Sequence, residues 1–191
     1  MYPYNQEKIM SFSINTIRSQ LEFGGARNSQ FEVRITNPIN PIGDIKVPFL
    51  CKAATLPQST LGVITVPYFG RIIKQYGDRT FEPWTVTVIN DEDFLIKNAL
   101  EQWHNAMNAS ERNISTQGSA PNNYKSQGTV TQYGKDGSEL RIYQFEGLWP
   151  SNIGQIDLNW ETQNTIEQFD VTFEYDNFVV VGGSTGDGGG R

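Results

Sequence analysis

The amino-acid sequence predicts a mainly β protein, a sandwich or small barrel of antiparallel strands with one packed α-helix. Apolar and polar residues alternate in several short segments, for example FEVRI at 31–35 and FDVTF at 169–173. Stretches rich in glycine, proline and polar residues separate these segments, and GKDGS is typical of a hairpin turn. In contrast, residues 91 to about 109 repeat their apolar side chains at the spacing of an amphipathic helix.

The first half of the chain is predicted to contain five extended segments. A short helix precedes them within residues 9–22, where Ile17 and Leu21 are four positions apart. FEVRI forms the first strand, TNPINPIGD is a loop because of its prolines and glycine, and KVPFLCKAATLPQ is interpreted as the second strand. LGVITVPYFGRIIKQYGD predicts a third strand, a turn at Gly70 and a further extended piece. A strand over 80–89 follows, in which apolar and threonine side chains alternate.

The second half begins with the predicted helix, whose first turn we expect to be capped by Asn90 and the acidic residues 91–93. Residues 110–128 are polar and irregular, which indicates an exposed loop. Two strands at about 129–134 and 139–147 form a hairpin. GLWPSNIG is interpreted as a turn that leads into a strand QIDLNWE. The alternation of Phe169, Val171, Phe173 and Tyr175 with polar residues predicts a last strand.

Length, charge and cysteine content exclude several classes of protein. A chain of 191 residues most often folds as one domain with a substantial core. The net charge of −6 argues against general nucleic-acid binding, because such proteins need a basic surface to displace counterions from phosphates. No apolar run approaches the roughly 18 residues of a membrane span, and no signal peptide or membrane anchor is expected. The single cysteine, Cys51, is interpreted as a small buried apolar residue.

The residues that could carry chemistry are better explained by structural roles. His104 lacks a second histidine for a metal site, and the motifs of serine hydrolases and phosphate-binding loops do not occur. Asp78 and Arg79 could be a catalytic pair, but an ion pair that fixes a turn is the favoured interpretation. Asp91 and Asp93 could bind a cation, yet acidic residues at a helix start usually interact with its dipole. The four tryptophans could stack on sugars, but their pattern favours core packing. We therefore expect neither an active site nor a cofactor.

Long strands without a reaction site direct attention to their edges. An open strand edge invites pairing with another chain, and a ring of subunits can close a larger barrel in this way. Head-to-tail contacts of this kind form closed rings when the rotation between copies permits.

Four stretches of the sequence, taken together, resemble the tail tube proteins of contractile-tailed bacteriophages. The resemblance extends over about residues 26–175, and CKA-LP, GDRTF-WTV-V-ND and GLWP-N-G are its most specific parts. The four stretches are GGARNSQFEV, CKAATLPQ, YGDRTFEPWTVTVIND and EGLWPSNIGQIDLNWETQNTIEQFDVTFEYD.

The resemblance implies a structural virion protein rather than an enzyme. Members of this family form stacked hexameric rings whose inner strands join into one continuous β-barrel, and related folds build type VI secretion and pyocin tubes. The implied partners are further copies of the chain, the tail sheath, and the baseplate and tail-terminator proteins, with DNA passing through without specific binding. The implied location is the phage tail, assembled in the cytoplasm of the bacterial host. By the same resemblance, residues 24–181 are the tube domain, 1–23 an N-terminal extension and 182–191 a flexible glycine-rich tail.

Two groups of residues are candidates for the surfaces of such a tube. The first lies in the hairpin at about 66–79 and is expected to reach neighbouring subunits: Tyr68, Phe69, Arg71 and Arg79. The second is acidic and is expected to project from strands on the face opposite the core: Asp157, Glu161, Asp170 and Glu174. If the second group lines the lumen, its charge repels DNA phosphates and lets the polymer slide. The alternatives are an ordinary surface hairpin for the first group, and a face turned to solvent or a neighbour for the second.

Three other functions remain open from the sequence. A baseplate protein that initiates the tube shares its fold, and the segments before residue 24 and after 181 could mark such a protein. A carbohydrate-binding β-sandwich would need several aromatic residues on one exposed face. A hydrolase with an unfamiliar site is the weakest alternative, because the chain offers one histidine and no recognisable nucleophile.

Overall fold

The computed structural model describes residues 14–21, 25–118 and 120–188, and in these ranges it is mainly antiparallel β-structure, as predicted. Its helices are α1 (Ile14–Gln20), α2 (Val47–Leu50) and α3 (Leu95–Met107), with short 3-10 helices at Pro41–Ile45 and Pro121–Asn123. Its strands are β1 (Phe31–Ile35), β2 (Cys51–Ala54), β3 (Ser59–Tyr68), β4 (Arg71–Phe81), β5 (Trp84–Ile89), β6 (Ser126–Tyr133), β7 (Glu139–Ile153), β8 (Gln168–Glu174) and β9 (Asn177–Gly182).

The long strand β7 connects the two halves of the main sheet. The strand order is β1-β6-β7-β8-β5-β2, and β9 pairs with β7 as an additional strand. The first part of β7 pairs with β6 and β9, whereas Trp149–Ile153 pair with β8. Gly147 lies between these parts with a φ of +71°, a conformation that favours glycine. The predicted turn at GLWPSNIG is therefore wrong, because the chain continues through it as a strand that changes partners.

The core lies between the sheet and α3, and its largest fully buried side chains are aromatic. Trp84 stacks on Phe145 with 4.3 Å between ring centroids, and both side chains are fully buried. Trp103 is also fully buried, and its Nε1 donates a hydrogen bond of 2.8 Å to the carbonyl of Tyr124. Each such side chain contributes at least about 2 kcal/mol by leaving water. The apolar face predicted for the helix is confirmed, and its buried members are Ile96, Ala99, Leu100, Trp103 and Ala106.

The start of α3 differs from the prediction. The helix begins at Leu95, and the residue before it, Phe94, has a left-handed backbone conformation with a φ of 50°. Asn90 is buried and donates through its Nδ2 to the carboxylate of Glu167, so that it fastens the end of β5 instead of capping the helix. The predicted capping by Asn90 and residues 91–93 is therefore wrong, although Asp93 accepts a hydrogen bond from the amide of Leu95.

Two predicted strands are shorter or missing. Residues 47–50 of KVPFLCKAATLPQ form α2, because Pro48 lacks an amide proton for a sheet and suits the first turn of a helix. Residues 154–167, which include QIDLNWE, form a loop in which Leu158 is 77% and Trp160 98% exposed. Asn159 turns this segment by accepting the amide of Glu161 on its side chain. The expected core position of Trp160 is therefore wrong.

The last described strand lies against β7. Strand β9, which the sequence analysis did not predict, pairs with β7, and the amides of Ser184 and Thr185 continue the pattern by donating to Glu139 and Leu140. Residues 1–13, 22–24 and 189–191 of the predicted terminal segments lie outside the described ranges. Within those ranges, none of the helices combines the length and the apolar character required to cross a bilayer.

Candidate assembly surfaces

The hairpin of β3 and β4 extends from the body of the protein without packing on it. Its two strands form a separate sheet, and all their residues are exposed except Gly77 and Phe81, which are half-buried. The hairpin is attached at its base, where the ring of Phe81 contacts those of Tyr175 and Phe178 at centroid distances of 5.9 and 5.6 Å. Because an isolated two-stranded hairpin is at best marginally stable in water, this one is suited to being covered by another molecule.

The sequence explains why this segment forms a hairpin. Valine, isoleucine and threonine make up half of β3 and recur in β4 as Ile72, Ile73 and Thr80, and these residue types favour extended backbone. At the tip, Phe69 and Gly70 both have positive φ values, 44° and 76°, which a two-residue hairpin turn of type I′ requires. Gly62 and Gly77 face each other at a bulge, where a Cβ on Gly77 would lie 3.3 Å from the backbone of Gly62. The predicted turn at Gly70 and the two extended segments around it are confirmed.

Both faces of the hairpin carry apolar side chains. The pairing of Val66 with Ile73 and of Ile64 with Gln75 places three aliphatic side chains on one face. The pairing of Val63 with Tyr76 and of Pro67 with Ile72 places a second apolar group on the other face. The aliphatic and aromatic members of these groups are between 40% and 86% exposed: Val63, Ile64, Val66, Ile72, Ile73 and Tyr76. Both faces of the hairpin therefore offer apolar area that a neighbouring molecule can bury.

The charges of the hairpin are mostly positive. Arg71, Lys74 and Arg79 lie on β4 together with Asp78, and none of the three cations forms an ion pair within the part of the chain that the structure describes. Asp78 and Arg79 are consecutive residues of a strand, so their side chains point to opposite faces. The predicted turn at these residues and the ion pair fixing it are therefore wrong.

The residues predicted to contact neighbours fall into two places. Tyr68 and Phe69 meet edge to face at the tip, 4.8 Å apart, and Phe69 is 91% exposed. Arg71 is the cross-strand partner of Tyr68 and therefore belongs to the same tip. Arg79 lies at the other end of the hairpin, opposite Leu61. Contact of these four residues with a neighbouring subunit stays a prediction.

The loop 154–167 forms a second exposed surface. Its ends are held by hydrogen bonds from the Gly154 amide to the Asp170 carbonyl and from the Asn90 amide to the Glu167 carbonyl, at 2.7 and 2.9 Å. Between the loop and the outer face of β5 and β8 lies an open groove of about 1050 Å³. This surface was not predicted, because the alternation of Ile156, Leu158 and Trp160 with polar residues imitates that of a strand.

The four acidic residues predicted to share strand faces are separated by the fold. Asp157 and Glu161 lie in the loop, so the prediction that they project from a strand is wrong. Asp170 and Glu174 lie on β8, on the side opposite the buried Phe169, Val171 and Phe173. Thr87 Oγ1 donates a hydrogen bond of 2.6 Å to the Asp170 carboxylate across the β5–β8 pair.

The remaining candidates for chemistry have structural surroundings. Lys46 lies between Asp91 and Asp93 and bonds to both, so its ammonium occupies the position in which a cation would be expected. These contacts raise the pKa of Lys46, and the Lys46 ammonium together with the Leu95 amide lowers the pKa of Asp93. Burial raises the pKa of the Cys51 thiol to about 12, which opposes formation of a nucleophilic thiolate. His104 lies on the exposed side of α3.

The fold is that of chains in contractile injection assemblies. A chain in the extended-state sheath/tube terminator of the extracellular contractile injection system PVC matches 83% of this chain and 97% of its own length, with a TM-score of 0.61 and 14% identity. A chain in the baseplate of the anti-feeding prophage matches 84% of this chain and 97% of its own, with a TM-score of 0.60 and 12% identity. At these identities the likeness concerns the fold alone.

The sequence comparisons are more specific. A family profile described as "Phage tail tube protein" matches residues 26–181. Tail tube protein gp19 of Enterobacteria phage T6 is 38% identical over 129 residues, which are 67% of this chain and 78% of the relative. The chain therefore belongs to the phage tail tube protein family. It is a structural protein of the virion tail and not an enzyme, as the resemblance predicted.

Proposed function

We propose that copies of this chain form hexameric rings, and that the rings stack into the inner tube of a contractile tail through which phage DNA passes. The observation that carries this proposal is the hairpin β3–β4, which is apolar on both faces and, among the described residues, is attached to the body through Phe81 at its base. Each strand of an isolated hairpin has a free outer edge, so neighbouring copies can extend the sheet by strand pairing. Repeated around a ring, such pairing produces the continuous β-barrel of a tube.

The predicted contact residues fit this role. Tyr68, Phe69 and Arg71 lie at the tip, which is the part of the hairpin that extends farthest from its own base. A strand of ten residues spans about 33 Å, so the tip can reach well across the body of a neighbouring copy. Arg79 lies nearer the body, where it would contact the flank of the same neighbour.

The outer face of β5 and β8 is our candidate for the wall of the lumen. Asp170 and Glu174 project from it, with Thr85, Thr87 and Thr172 beside them and Lys52 bonded to Gln168 at its edge. The threonines offer no bulky apolar surface, and the carboxylates repel phosphates, so DNA would slide without adhering. Asp157 and Glu161 would lie at the rim, since they belong to the loop.

Replacement of Asp170 and Glu174 by lysine tests the lumen assignment. Particles assembled from this variant should eject DNA more slowly than wild-type particles, because each subunit then attracts phosphates instead of repelling them. The matched control replaces Glu101, which lies on α3, and Glu111, which follows α3, by lysine. Equal ejection rates for the variant and wild type would refute the lumen assignment while leaving the tube intact.

Contacts with sheath, baseplate and terminator proteins complete the proposal. The similar chains occur in a sheath/tube terminator and in a baseplate, which supports placing this chain beside such partners. The baseplate match has nearly the same TM-score, and it favours a tube-initiating baseplate protein as the second candidate. A carbohydrate-binding module is less well supported, because Trp84 and Trp103 are buried in the core.

Mass photometry of the purified chain over a range of concentrations tests the ring. The tube proposal predicts a species of six subunits, alone or on isolated baseplates. A tube initiator would bind baseplates as one ring and stop, whereas a tube protein would continue to add rings. Absence of any assembly in both conditions would overturn the proposal.

A further inference from the structure

Two exposed surfaces of the chain are opposite in charge. Hairpin β3–β4 carries three cations without an ion-pair partner in the described ranges, and one carboxylate: Arg71, Lys74 and Arg79, with Asp78. Loop 154–167 carries three carboxylates and no lysine or arginine: Asp157, Glu161 and Glu167. Within the same described part of the chain, none of these loop carboxylates pairs with a cation. In a chain whose net charge is −6, the positive hairpin is an exception to the general acidity.

The same two surfaces also expose apolar side chains. In the loop, Leu158, Trp160 and Ile166 are 77%, 98% and 70% exposed. At the tip of the hairpin, Tyr68 and Phe69 are 64% and 91% exposed. Large aromatic side chains with a charged surrounding are typical of the centres of protein interfaces, where their burial supplies most of the binding free energy.

We infer that loop 154–167 of one copy is the docking site for the tip of hairpin β3–β4 of another copy. This inference rests on the proposed self-assembly and names the two surfaces that meet. Phe69 and Tyr68 pack against Trp160 and Leu158, while Arg71 and Lys74, which lie on opposite faces of the hairpin, attract the loop carboxylates with their positive charge.

The shape of the loop region suits a polypeptide better than a small ligand. The groove beside the loop has about 1050 Å³ and is open, whereas small-molecule pockets have about 300–1,000 Å³ and enclose most of the ligand. A two-stranded hairpin is about 10 Å thick with its side chains, so its tip can rest on the loop at the mouth of the groove and leave Asp170 and Glu174 on the outer face of β5 and β8 uncovered. The loop itself is pre-formed by the hydrogen bonds of Asn159, which accepts the Glu161 amide on its side chain and the Thr162 hydroxyl on its carbonyl.

The pairing is head to tail, because donor and acceptor surfaces differ. Each copy has one hairpin and one loop, so an assembly that has not closed into a ring keeps a free hairpin at one end and a free loop at the other. Such heterologous contacts form closed rings or open helical stacks, depending on the rotation between copies. The inferred contact is therefore compatible with a ring and with a tube.

A charge exchange tests the pairing directly. The hairpin variant carries Arg71→Glu and Lys74→Glu, and the loop variant carries Asp157→Lys and Glu161→Lys. Each variant alone should fail to extend isolated baseplates, because like charges then meet at every contact. An equimolar mixture should recover extension, since each hairpin finds a loop of opposite charge when the two variants alternate. The matched control exchanges the neighbouring exposed residues Glu111→Lys and Arg112→Glu and should extend normally.

The outcomes separate the inference from the proposed function. If wild-type protein does not extend baseplates, the proposed function fails. If wild type extends them and either variant alone does so equally well, the inference fails while the proposed function stands. Failure of the mixture, with both variants folded by circular dichroism, also overturns the inference.

Chemical cross-linking provides an independent readout of the contact. A chain with Phe69→Cys and Trp160→Cys should form chains of covalent multimers when an assembled sample is treated with a short bismaleimide. A chain with Phe69→Cys and Phe49→Cys is the control, because Phe49 is 83% exposed on α2, outside the inferred contact. Equal cross-linking of the two chains would overturn the inference.

Discussion

Making one face of the hairpin polar should weaken assembly about 100-fold without unfolding the protomer. The variant replaces Ile64, Val66 and Ile73 by threonine, which keeps the β-branched shape that favours strands. These side chains lie on one face of hairpin β3–β4 and touch no part of the core. The protomer therefore loses no buried contact, and each change should alter its free energy of unfolding by no more than about 0.5 kcal/mol.

The effect on assembly follows from the area that remains to be buried. Ile64, Val66 and Ile73 are 53%, 40% and 51% exposed in the single chain. Complete burial of an aliphatic side chain contributes about 1.5–3 kcal/mol, so covering the exposed half contributes about 1 kcal/mol for each. The variant should lose about 3 kcal/mol per contact, which corresponds to a roughly 100-fold higher critical concentration.

Pelleting of assembled protein at increasing concentration measures this change, and urea unfolding of the protomer measures stability. Val86→Thr in strand β5 is the matched control, because Val86 is fully buried and its replacement places a hydroxyl in the core. That control should lower stability instead. If the triple variant assembles at the wild-type concentration, the hairpin face is not an assembly surface and the reasoning is refuted.

Three further predictions concern the protomer. Gly147→Ala should lower the unfolding free energy by more than about 1 kcal/mol in urea titrations, because a Cβ at φ +71° would overlap the carboxylate of Asp176; an unchanged midpoint would contradict this. Because Lys46 lowers the pKa of Asp93, their ion pair stabilises the fold above the ordinary pKa of an aspartate and is lost as the pH falls through the lowered pKa. Lys46→Met should therefore flatten the decline of the unfolding free energy below about pH 4. Burial raises the pKa of Cys51 to about 12, so iodoacetamide at pH 8 should modify the folded chain far more slowly than the urea-unfolded chain.

The sequence was sufficient to predict the elements whose periodicity is long and regular. Strands β1, β5 and β8 and the apolar face of α3 were predicted because burial on one side imposes a clear period. The hairpin β3–β4 was predicted from its turn at Gly70, although its residues are nearly all exposed. Burial within the described part of the chain does not explain its apolar pattern, and in the proposed tube a neighbouring copy supplies that burial.

The failures have identifiable physical causes. Residues 154–167 alternate like a strand, but the alternating Leu158 and Trp160 face solvent and the segment lacks a neighbouring strand to pair with in the described part of the chain. The start of α3 was placed too early because the acidic residues before it resemble a capped turn, whereas Asp91 and Asp93 bind Lys46. Such tertiary ion pairs have no signature in local sequence.

The candidate surfaces were only partly predictable. Tyr68, Phe69 and Arg71 lie together at the tip because a turn follows directly from sequence. In contrast, the division of the acidic residues between the loop and β8 depends on where β7 ends. Gly147 interrupts the alternation of β7 and suggests a turn, but the strand continues through it. The sequence therefore did not reveal where β7 ends.

Electron microscopy of isolated baseplates incubated with the purified chain shows whether this chain builds the tube. Hollow tubes of uniform width should grow from the baseplates and lengthen with protein concentration, with sixfold symmetry in end views. Baseplates that remain bare, or that acquire a single ring and never lengthen, would contradict the claim that this chain builds the tube.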